Sequence, residues 1–279
     1  MVSRQLLTGA FMIARTEIIS SAFIWRRVHS LMGLWLIIYL IEHLIVNSQA
    51  TLWLGDDGIG FVRLVNSLES LPYLQVIEVV FIGIPLILHG YWGVKRIFSA
   101  KTNSWSSDGS SPSLKYGRSR AFTWQRFTSW ILLFGIIGHV VQMRFIQMPE
   151  KVRIDNEVRY VVRLKDDPGL DSLAGRIGVS LVKEGRHVIA TASSPGKAML
   201  LMVRETFKSP LMAVLYTIFV LAAAFHAFNG FWTSLITWGA MLSYHSQRAV
   251  IPICWAGVGL LAFLGLAAIW GSYWINLRT

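Results

Sequence analysis

Five long runs of apolar residues alternate with polar segments along this chain. Crossing the hydrocarbon layer of a bilayer, about 30 Å thick, takes about 20 helical residues at a rise of about 1.5 Å per residue. Each run reaches that length, so the pattern predicts five transmembrane helices, spans I to V. They cover residues 28–47, 73–94, 127–146, about 211–240, and 250–275.

The longest polar segment, residues 147–209, separates spans III and IV. Two stretches within it alternate between apolar and polar residues around a turn, which predicts two β-hairpins. Residues 196–208 then have the pattern of an amphipathic helix, which we expect to lie at the membrane surface. The predicted hairpins cover 152–164, around Asn156, and 176–192, around Glu184-Gly185.

Charge adds an orientation to this picture. The net charge is +11, but no compact basic domain exists to bind nucleic acid, so we expect no nucleic-acid partner. Basic residues instead collect before span I and between spans II and III, as they do in loops on the cytoplasmic face. The N-terminus is therefore predicted in the cytoplasm and the C-terminus outside.

The predicted fold is an all-α integral membrane protein with a small β-containing extramembrane insertion. Residues 1–146 comprise a cytoplasmic N-terminal segment and spans I–III, and residues 147–209 form an external lobe. Residues 210–279 carry spans IV and V. The sequence of the lobe does not indicate its function.

Four histidines lie in four different predicted spans, one in each. Ionisable side chains inside a membrane are costly, so each is a candidate functional residue. A single such histidine is more often a polar contact between helices than a ligand, and for all four together the two interpretations stay about equally open. They are His43 in span I, His89 in span II, His139 in span III and His226 in span IV.

Depth sorts these histidines into pairs. His43 and His139 lie about 24 Å and about 20 Å from the cytoplasmic ends of their spans, so both are toward the outside. His89 lies about 9 Å from the cytoplasmic end of span II, and His226 about 24 Å from the external end of span IV. Two bis-imidazole sites at different depths suit an electron relay, whereas zinc or copper would need its ligands at one depth.

The surroundings of the pairs are compatible with a flat macrocycle such as haem. The chain has one cysteine, Cys254, and no CxxCH motif, so a haem would be held noncovalently. Basic residues on the cytoplasmic side could contact haem propionates, or could reflect the positive-inside bias alone. These are Arg26, His29 and Arg126, and the small residues beside the histidines are Gly90, Gly93, Gly135, Gly138 and Gly230.

Six motifs resemble the dihaem cytochrome b subunit of succinate:quinone oxidoreductases, in the type with one large five-helix anchor. They follow in order along spans I to IV, whereas span V matches mainly in hydrophobicity. The motifs are RRVHSLMG (26–33), EHLIVN (42–47), SLPY (70–73), PLILHGYWGV (85–94), QRFTSWILLFGIIGHV (125–140) and FHAFNGFWTSLITWG (225–239).

The resemblance implies two haems b, a distal one bound by His43 and His139 and a proximal one bound by His89 and His226. It also implies the membrane anchor of a succinate dehydrogenase, in contact with lipid in a bacterial inner membrane. A flavoprotein subunit would oxidise succinate, and an iron–sulfur subunit would pass electrons to the anchor and on to quinone, often menaquinone. This chain has no dinucleotide fingerprint and no cysteine cluster, so it cannot carry those other centres itself.

Two features depart from the family. The 147–209 connection is longer than the usual loop. Related dihaem fumarate reductases have a glutamate two residues before the helix IV ligand, where this chain has Ala224. A proton route through that position is therefore not available here.

Two carboxylates are candidates for handling protons at the quinone. Quinone takes up two protons with two electrons, and a carboxylate near the distal haem could deliver them. Glu69 and Glu78 lie toward the outer end of span II. Glu69 could equally be a solvated loop residue, and Glu78 could form a structural hydrogen bond.

Two alternative functions stay open. One is a dihaem cytochrome b of another respiratory complex, such as a hydrogenase or formate dehydrogenase, although the order of the motifs argues against it. The other is a metal or proton transporter lined by the four histidines. A sharp reduced α-band would separate a cytochrome from a transporter.

Overall fold

The computed structural model is mostly helical, with a small antiparallel sheet inserted between the third and fourth spans, which confirms the predicted fold class. The expected cytoplasmic N-terminal segment falls on residues 1–19 and lies outside the residues that the structure describes. The described residues are 20–52, 56–99, 103–105, 109 and 112–277.

Five helices of the described chain are long and apolar enough to cross a membrane. Spans I, III and V begin several residues before their apolar runs, because a helical backbone satisfies its own hydrogen bonds and can continue through a polar flank. The spans are Ser21–Ser48, Leu74–Arg96, Gly117–Ile146, Pro210–Thr237 and Tyr244–Trp274.

Two spans contain a short π-helical segment. One is Val79–Gly83 in span II, and the other is Val141–Ile146 at the end of span III. Such segments insert an extra residue into a helical turn and are frequent at functional sites. The α-helices are α1 (Ser21–Ser48), α2 (Ile59–Glu69), α3 (Leu74–Glu78), α4 (Ile84–Ser99), α5 (Gly117–Val140), α6 (Leu170–Ile177), α7 (Pro195–Phe207), α8 (Pro210–Thr237), α9 (Tyr244–Ala249) and α10 (Ile251–Leu277).

Spans I to IV form a four-helix bundle, and span V lies outside it. Helix α8 packs against α1 and α5, α1 packs against α4, and α10 covers α8 and α1. Small residues let these helices approach one another closely. Close packing is important here because lipid tails are as apolar as the helices and supply no hydrophobic force between them. Ala224 and Ala227 of α8 are buried against Leu44 of α1 and Leu261 of α10.

The insertion between spans III and IV is a four-stranded antiparallel sheet in the order β1-β2-β4-β3. Both predicted hairpins form. Asp155 and Asn156 have φ of 50° and 65° at the first turn, and Gly185 has φ of 62° at the second, as tight hairpin turns require. The strands are β1 (Glu150–Ile154), β2 (Glu157–Lys165), β3 (Ser180–Glu184) and β4 (His187–Ala192).

Helix α7 corrects one expectation. We predicted this segment at the membrane surface, but α7 is buried in the lobe, between the sheet and α2 and against α10. Its apolar residues surround the helix instead of forming one stripe, so it needs covering on all sides. A Cβ added to Gly196 would lie 2.5 Å from the Val62 carbonyl oxygen, so only glycine permits the approach of α7 to α2.

A buried charge cluster ties α7 to the sheet. Both terminal guanidinium nitrogens of Arg204 donate to Asp167, at 2.7 and 2.8 Å, and Lys208 Nζ lies 2.7 Å from the same carboxylate. Burial raises the pKa of Asp167, but the hydrogen bonds from Arg204 and Lys208 outweigh it and lower the pKa to about 2. The carboxylate therefore stays charged and joins α7 to the segment that follows β2.

The bundle thus has two distinct ends. We call the end beside the lobe the lobe side. The opposite end is the basic side, where Arg26, Lys95, Arg126 and Arg248 lie.

Candidate functional site

The four span histidines lie in two pairs inside the bundle. The ring centres of His43 and His139 are 5.8 Å apart on the lobe side, with an angle of 83° between the rings. Those of His89 and His226 are 6.3 Å apart toward the basic side, with an angle of 79°. Two imidazoles on opposite sides of one metal have centres about 6 Å apart, since the metal–nitrogen bond is about 2 Å and each ring centre lies about 1 Å beyond its nitrogen.

Each of these histidines has a polar neighbour at its Nδ1 atom. A histidine whose Nδ1 is hydrogen-bonded presents Nε2 to a metal in a fixed orientation. Among the described residues, His43 also has Asn47 Nδ2 at 3.5 Å from its Nε2. The Nδ1 partners are the His29 carbonyl oxygen for His89 (3.1 Å), Tyr216 Oη for His139 (3.3 Å), Thr128 Oγ1 for His226 (3.3 Å) and Tyr39 Oη for His43 (3.5 Å).

His29 contacts the His89–His226 pair directly. Its ring stacks on that of His89, with centres 4.1 Å apart and an angle of 9° between the planes. Its own Nδ1 is buried and has no hydrogen-bond partner among the described residues. A buried polar atom without a partner is costly, and a further polar group at this atom would remove the cost. A propionate of a bound haem would be such a group.

The other two residues predicted to contact propionates are Arg126 and Arg26. Arg126 Nη1 donates to the Arg96 carbonyl oxygen at 3.3 Å, and its guanidinium lies 5.6 Å from the ring centre of Phe122. Arg26 is exposed near the beginning of α1.

Glycines near the histidines have two different surroundings: two of them border open space, and a third packs closely against a histidine ring. A Cβ added to Gly90 or Gly138 would meet no atom within 4 Å. A Cβ added to Gly33 would come within 2.9 Å of His89 Cε1. The space beside Gly90 and Gly138 is open to a flat group, whereas Gly33 lets the His89 ring lie close to α1.

A chain of hydrogen bonds connects the His43–His139 pair to the lobe. Tyr216 Oη lies beside His139 and donates to Gln142 Oε1 at 3.1 Å. Gln142 Nε2 donates to Gln147 Oε1 at 3.3 Å, and Thr206 Oγ1 of α7 donates to the same oxygen at 2.8 Å. Packing of the lobe therefore helps to set the position of Tyr216 against His139.

The two candidate carboxylates lie on the lobe side in different environments. Glu78 forms an ion pair with Arg144 at 2.7 Å, and the two residues belong to or adjoin the two π-helical segments. Glu69 is half-buried at the end of α2. Burial raises the pKa of Glu69, and the charge of Arg144 opposes that shift.

Several contacts were missed from the sequence. Tyr39 precedes His43 by four residues and so shares its helix face, a signal that could have been used. Thr128, Arg144 and Tyr216 contact partners far away in the chain, and nothing in their own surroundings indicated those partners.

The donor set decides which cofactor fits. Among the described residues, no group of three or more His, Cys, Asp or Glu side chains could hold a metal ion. Two separated pairs of imidazoles, each ring oriented through Nδ1, instead match the bis-histidine ligation of a b-type haem. The residues present therefore fit noncovalent haem.

Fold and site together define a five-span membrane protein with two histidine pairs in the core of its bundle. The chain is similar to the succinate dehydrogenase cytochrome b558 subunit of Bacillus subtilis (strain 168). The two are 28% identical over 249 residues, which cover 88% of this chain and 95% of that relative. No family model matches the chain. The similarity over nearly the whole length confirms the resemblance that the six motifs indicated.

Proposed function

We propose that this chain is the membrane anchor and electron-transfer subunit of a succinate dehydrogenase. It passes electrons from an iron–sulfur subunit through two b haems to membrane quinone, with menaquinone the expected acceptor. The observation that carries the proposal is the presence of two oriented histidine pairs at different depths of one bundle. The similarity to a succinate dehydrogenase cytochrome b supports it.

The chain's own residues hold and orient the two carriers. His89 and His226 ligate the inner haem, with His29 and Thr128 holding their Nδ1 atoms. A bound haem supplies a one-electron carrier at each pair, and the imidazoles adjust its potential through their hydrogen bonds.

His43 and His139 ligate the outer haem, and Tyr39 and Tyr216 lie beside their Nδ1 atoms. The sequence has a single cysteine and no dinucleotide fingerprint. A flavoprotein and an iron–sulfur partner must therefore carry the succinate chemistry.

The alternative of a metal transporter finds no support in the geometry. Its ligands would have to converge at one depth, but the described histidines form two separate pairs.

The assembled complex provides the direct test. We expect a reduced-minus-oxidised spectrum of the purified complex to show a sharp α-band, and extraction to yield two b haems for each copy of this chain. Succinate should reduce both haems, and added quinone should reoxidise them. One haem, or none, in a complex that contains all its subunits would contradict the proposal.

In the proposed orientation, the basic side faces the cytoplasm and the lobe lies on the other side of a bacterial inner membrane. The iron–sulfur subunit would bind on the cytoplasmic side, so electrons would reach the His89–His226 pair first. In intact cells we expect a membrane-impermeant maleimide to label the variant Arg186→Cys, whose substitution lies in the turn between β3 and β4. A cysteine at Ser113 should react only after the cells are broken. Both variants use a Cys254→Ser background, since Cys254 is the single native cysteine. The opposite pattern would invert the order of the haems.

The hydrogen bond between Tyr216 and His139 has a spectroscopic consequence. Tyr216 donates to Gln142, so its oxygen accepts from His139 Nδ1–H and makes the imidazole a stronger electron donor. In Tyr216→Phe we expect the potential of the outer haem to rise and that of the inner haem to stay unchanged in a redox titration. Tyr273→Phe on span V serves as the matched control. An unmoved outer potential in Tyr216→Phe would contradict this role.

A further inference from the structure

A large pocket opens on the basic side between spans III, IV and V, outside the four-helix bundle. Its volume is about 850 Å³. Arg118, Arg120 and Arg248 lie at its rim, and Trp255 and Val258 of α10 line its apolar part. None of these residues belongs to the histidine pairs or to their hydrogen-bond partners. We call it the rim-arginine pocket.

Two of the rim cations approach one aromatic ring. The guanidinium carbon of Arg118 lies 5.1 Å from the ring centre of Tyr244, and that of Arg248 lies 5.7 Å from the same centre. No carboxylate of the described residues lies within 4 Å of either group or of Arg120. The two guanidinium carbons are therefore at most about 11 Å apart. Two cations at such a separation repel each other, and an anion between them would be attracted to both.

The rim is built to stay in place. Arg118 donates to Gln247 Oε1, and Gln247 is itself buried, with 8% of its surface exposed. The Trp232 indole nitrogen donates to the Gln247 carbonyl oxygen at 2.9 Å, and the Gln247 side chain donates to the Met241 carbonyl oxygen at 3.3 Å. The guanidinium of Arg118 is therefore held by a buried network and is not a freely moving surface charge.

The beginning of α5 adds to the positive potential. Helix α5 begins at Gly117, and its N-cap, Tyr116, forms no side-chain cap. The first backbone N–H groups of a helix carry a partial positive charge and bind anions. Both residues line the pocket on the same side as the arginines.

The apolar part of the pocket favours an anion that carries an acyl chain over a small soluble anion. Trp255 is 59% exposed and Trp124 is 55% exposed, and both face space that a small soluble anion would leave open. An acyl chain fills such a surface, and tryptophan is favoured where chain and headgroup meet. Basic pockets between membrane helices on the cytoplasmic side bind the headgroups of anionic lipids.

We propose that the rim-arginine pocket binds one anionic phospholipid. Its phosphate lies among Arg118, Arg120 and Arg248 at the beginning of α5, and an acyl chain lies against Trp255 and Val258. A neutral quinone ring would not relieve the repulsion between the two guanidinium groups over Tyr244. The site thereby joins span V to span III through a lipid.

The test uses the full complex in a neutral detergent, with native mass spectrometry to count bound lipid. We expect wild type to bind one phosphatidylglycerol per chain and to bind phosphatidylcholine much less tightly. In Arg118→Gln/Arg248→Gln we expect phosphatidylglycerol affinity to fall about twenty-fivefold, since each of the two basic contacts near the surface contributes about fivefold. Lys95→Gln, a basic residue of α4 outside the pocket, is the matched control and should bind as wild type does.

Three results on lipid and quinone binding would overturn the proposal. They are equal phosphatidylglycerol affinity in wild type and the double variant, equally tight binding of phosphatidylcholine, and one-for-one displacement by a quinone analogue. Displacement by millimolar inorganic phosphate would also overturn it, because the ligand would then be a soluble anion. If the double variant does not assemble, Arg248→Gln alone should weaken binding about fivefold while the haem spectrum stays intact.

Discussion

Replacing His43 or His139 with alanine is expected to remove one of the two proposed haems and leave the other in place. The rings lie 5.8 Å apart, and either substitution leaves a single axial ligand on the lobe side. A noncovalent haem depends on both ligands and on packing, so we expect about half of the haem to be lost from the purified complex. Haem extraction per chain and the amplitude of the reduced α-band measure it.

The outer pair gives a cleaner test than the inner pair. The ring of His29 lies 4.1 Å from that of His89, so it could substitute as a ligand in His89→Ala. The double variant His29→Ala/His89→Ala removes that possibility and should also lose one haem. His187→Ala and His245→Ala are the matched controls, because both side chains are exposed and lie outside the bundle. Two intact haems in His43→Ala and in His139→Ala would contradict the assignment of these ligands.

Replacing Glu69 with glutamine is expected to slow quinone reduction by about a hundredfold, the lower end of what proton transfer by a positioned side chain contributes. The proposed outer haem receives electrons last. It would not be needed for electron transfer if quinone were reduced beside the inner haem, so we place the quinone site beside the outer haem. Burial raises the pKa of Glu69, so this carboxyl holds its proton at a higher pH than an exposed one and can release it to reduced quinone. Wild-type activity should therefore fall as pH rises through that pKa, and the dependence should vanish in Glu69→Gln.

We expect Glu78 to act at the same site in a different way. Its ion pair with Arg144 joins spans II and III next to both π-helical segments. Glu78→Gln should slow quinone reduction too, because it releases Arg144. Neither variant should change the two haems or the transfer of electrons from succinate to a soluble dye. Glu157→Gln, an exposed carboxylate of β2 on the same side, is the control.

Two outcomes would contradict a quinone site near the outer haem. One is full quinone activity in both Glu69→Gln and Glu78→Gln. The other is a bound quinone analogue found only near Arg26 and His29. The basic side would then be the place of quinone reduction.

The sequence by itself determined the features that depend on one segment at a time. A run of about 20 apolar residues forms a spanning helix because its backbone satisfies its own hydrogen bonds. A turn at Asp155-Asn156 or at Gly185 determines its hairpin locally. The rise per residue is constant in a helix, so the depth of each histidine could be calculated, and the structure brings together the histidines of equal depth.

Only the tertiary structure decided how these segments face one another. A span that is apolar all round has no stripe to show which side meets its neighbours, so its rotation depends on packing. The stacking of His29 on His89, the ion pair of Glu78 with Arg144 and the contact of Tyr216 with His139 all join residues far apart in sequence. Helix α7 was misplaced for the same reason, since its covering partners, the sheet, α2 and α10, come from distant parts of the chain.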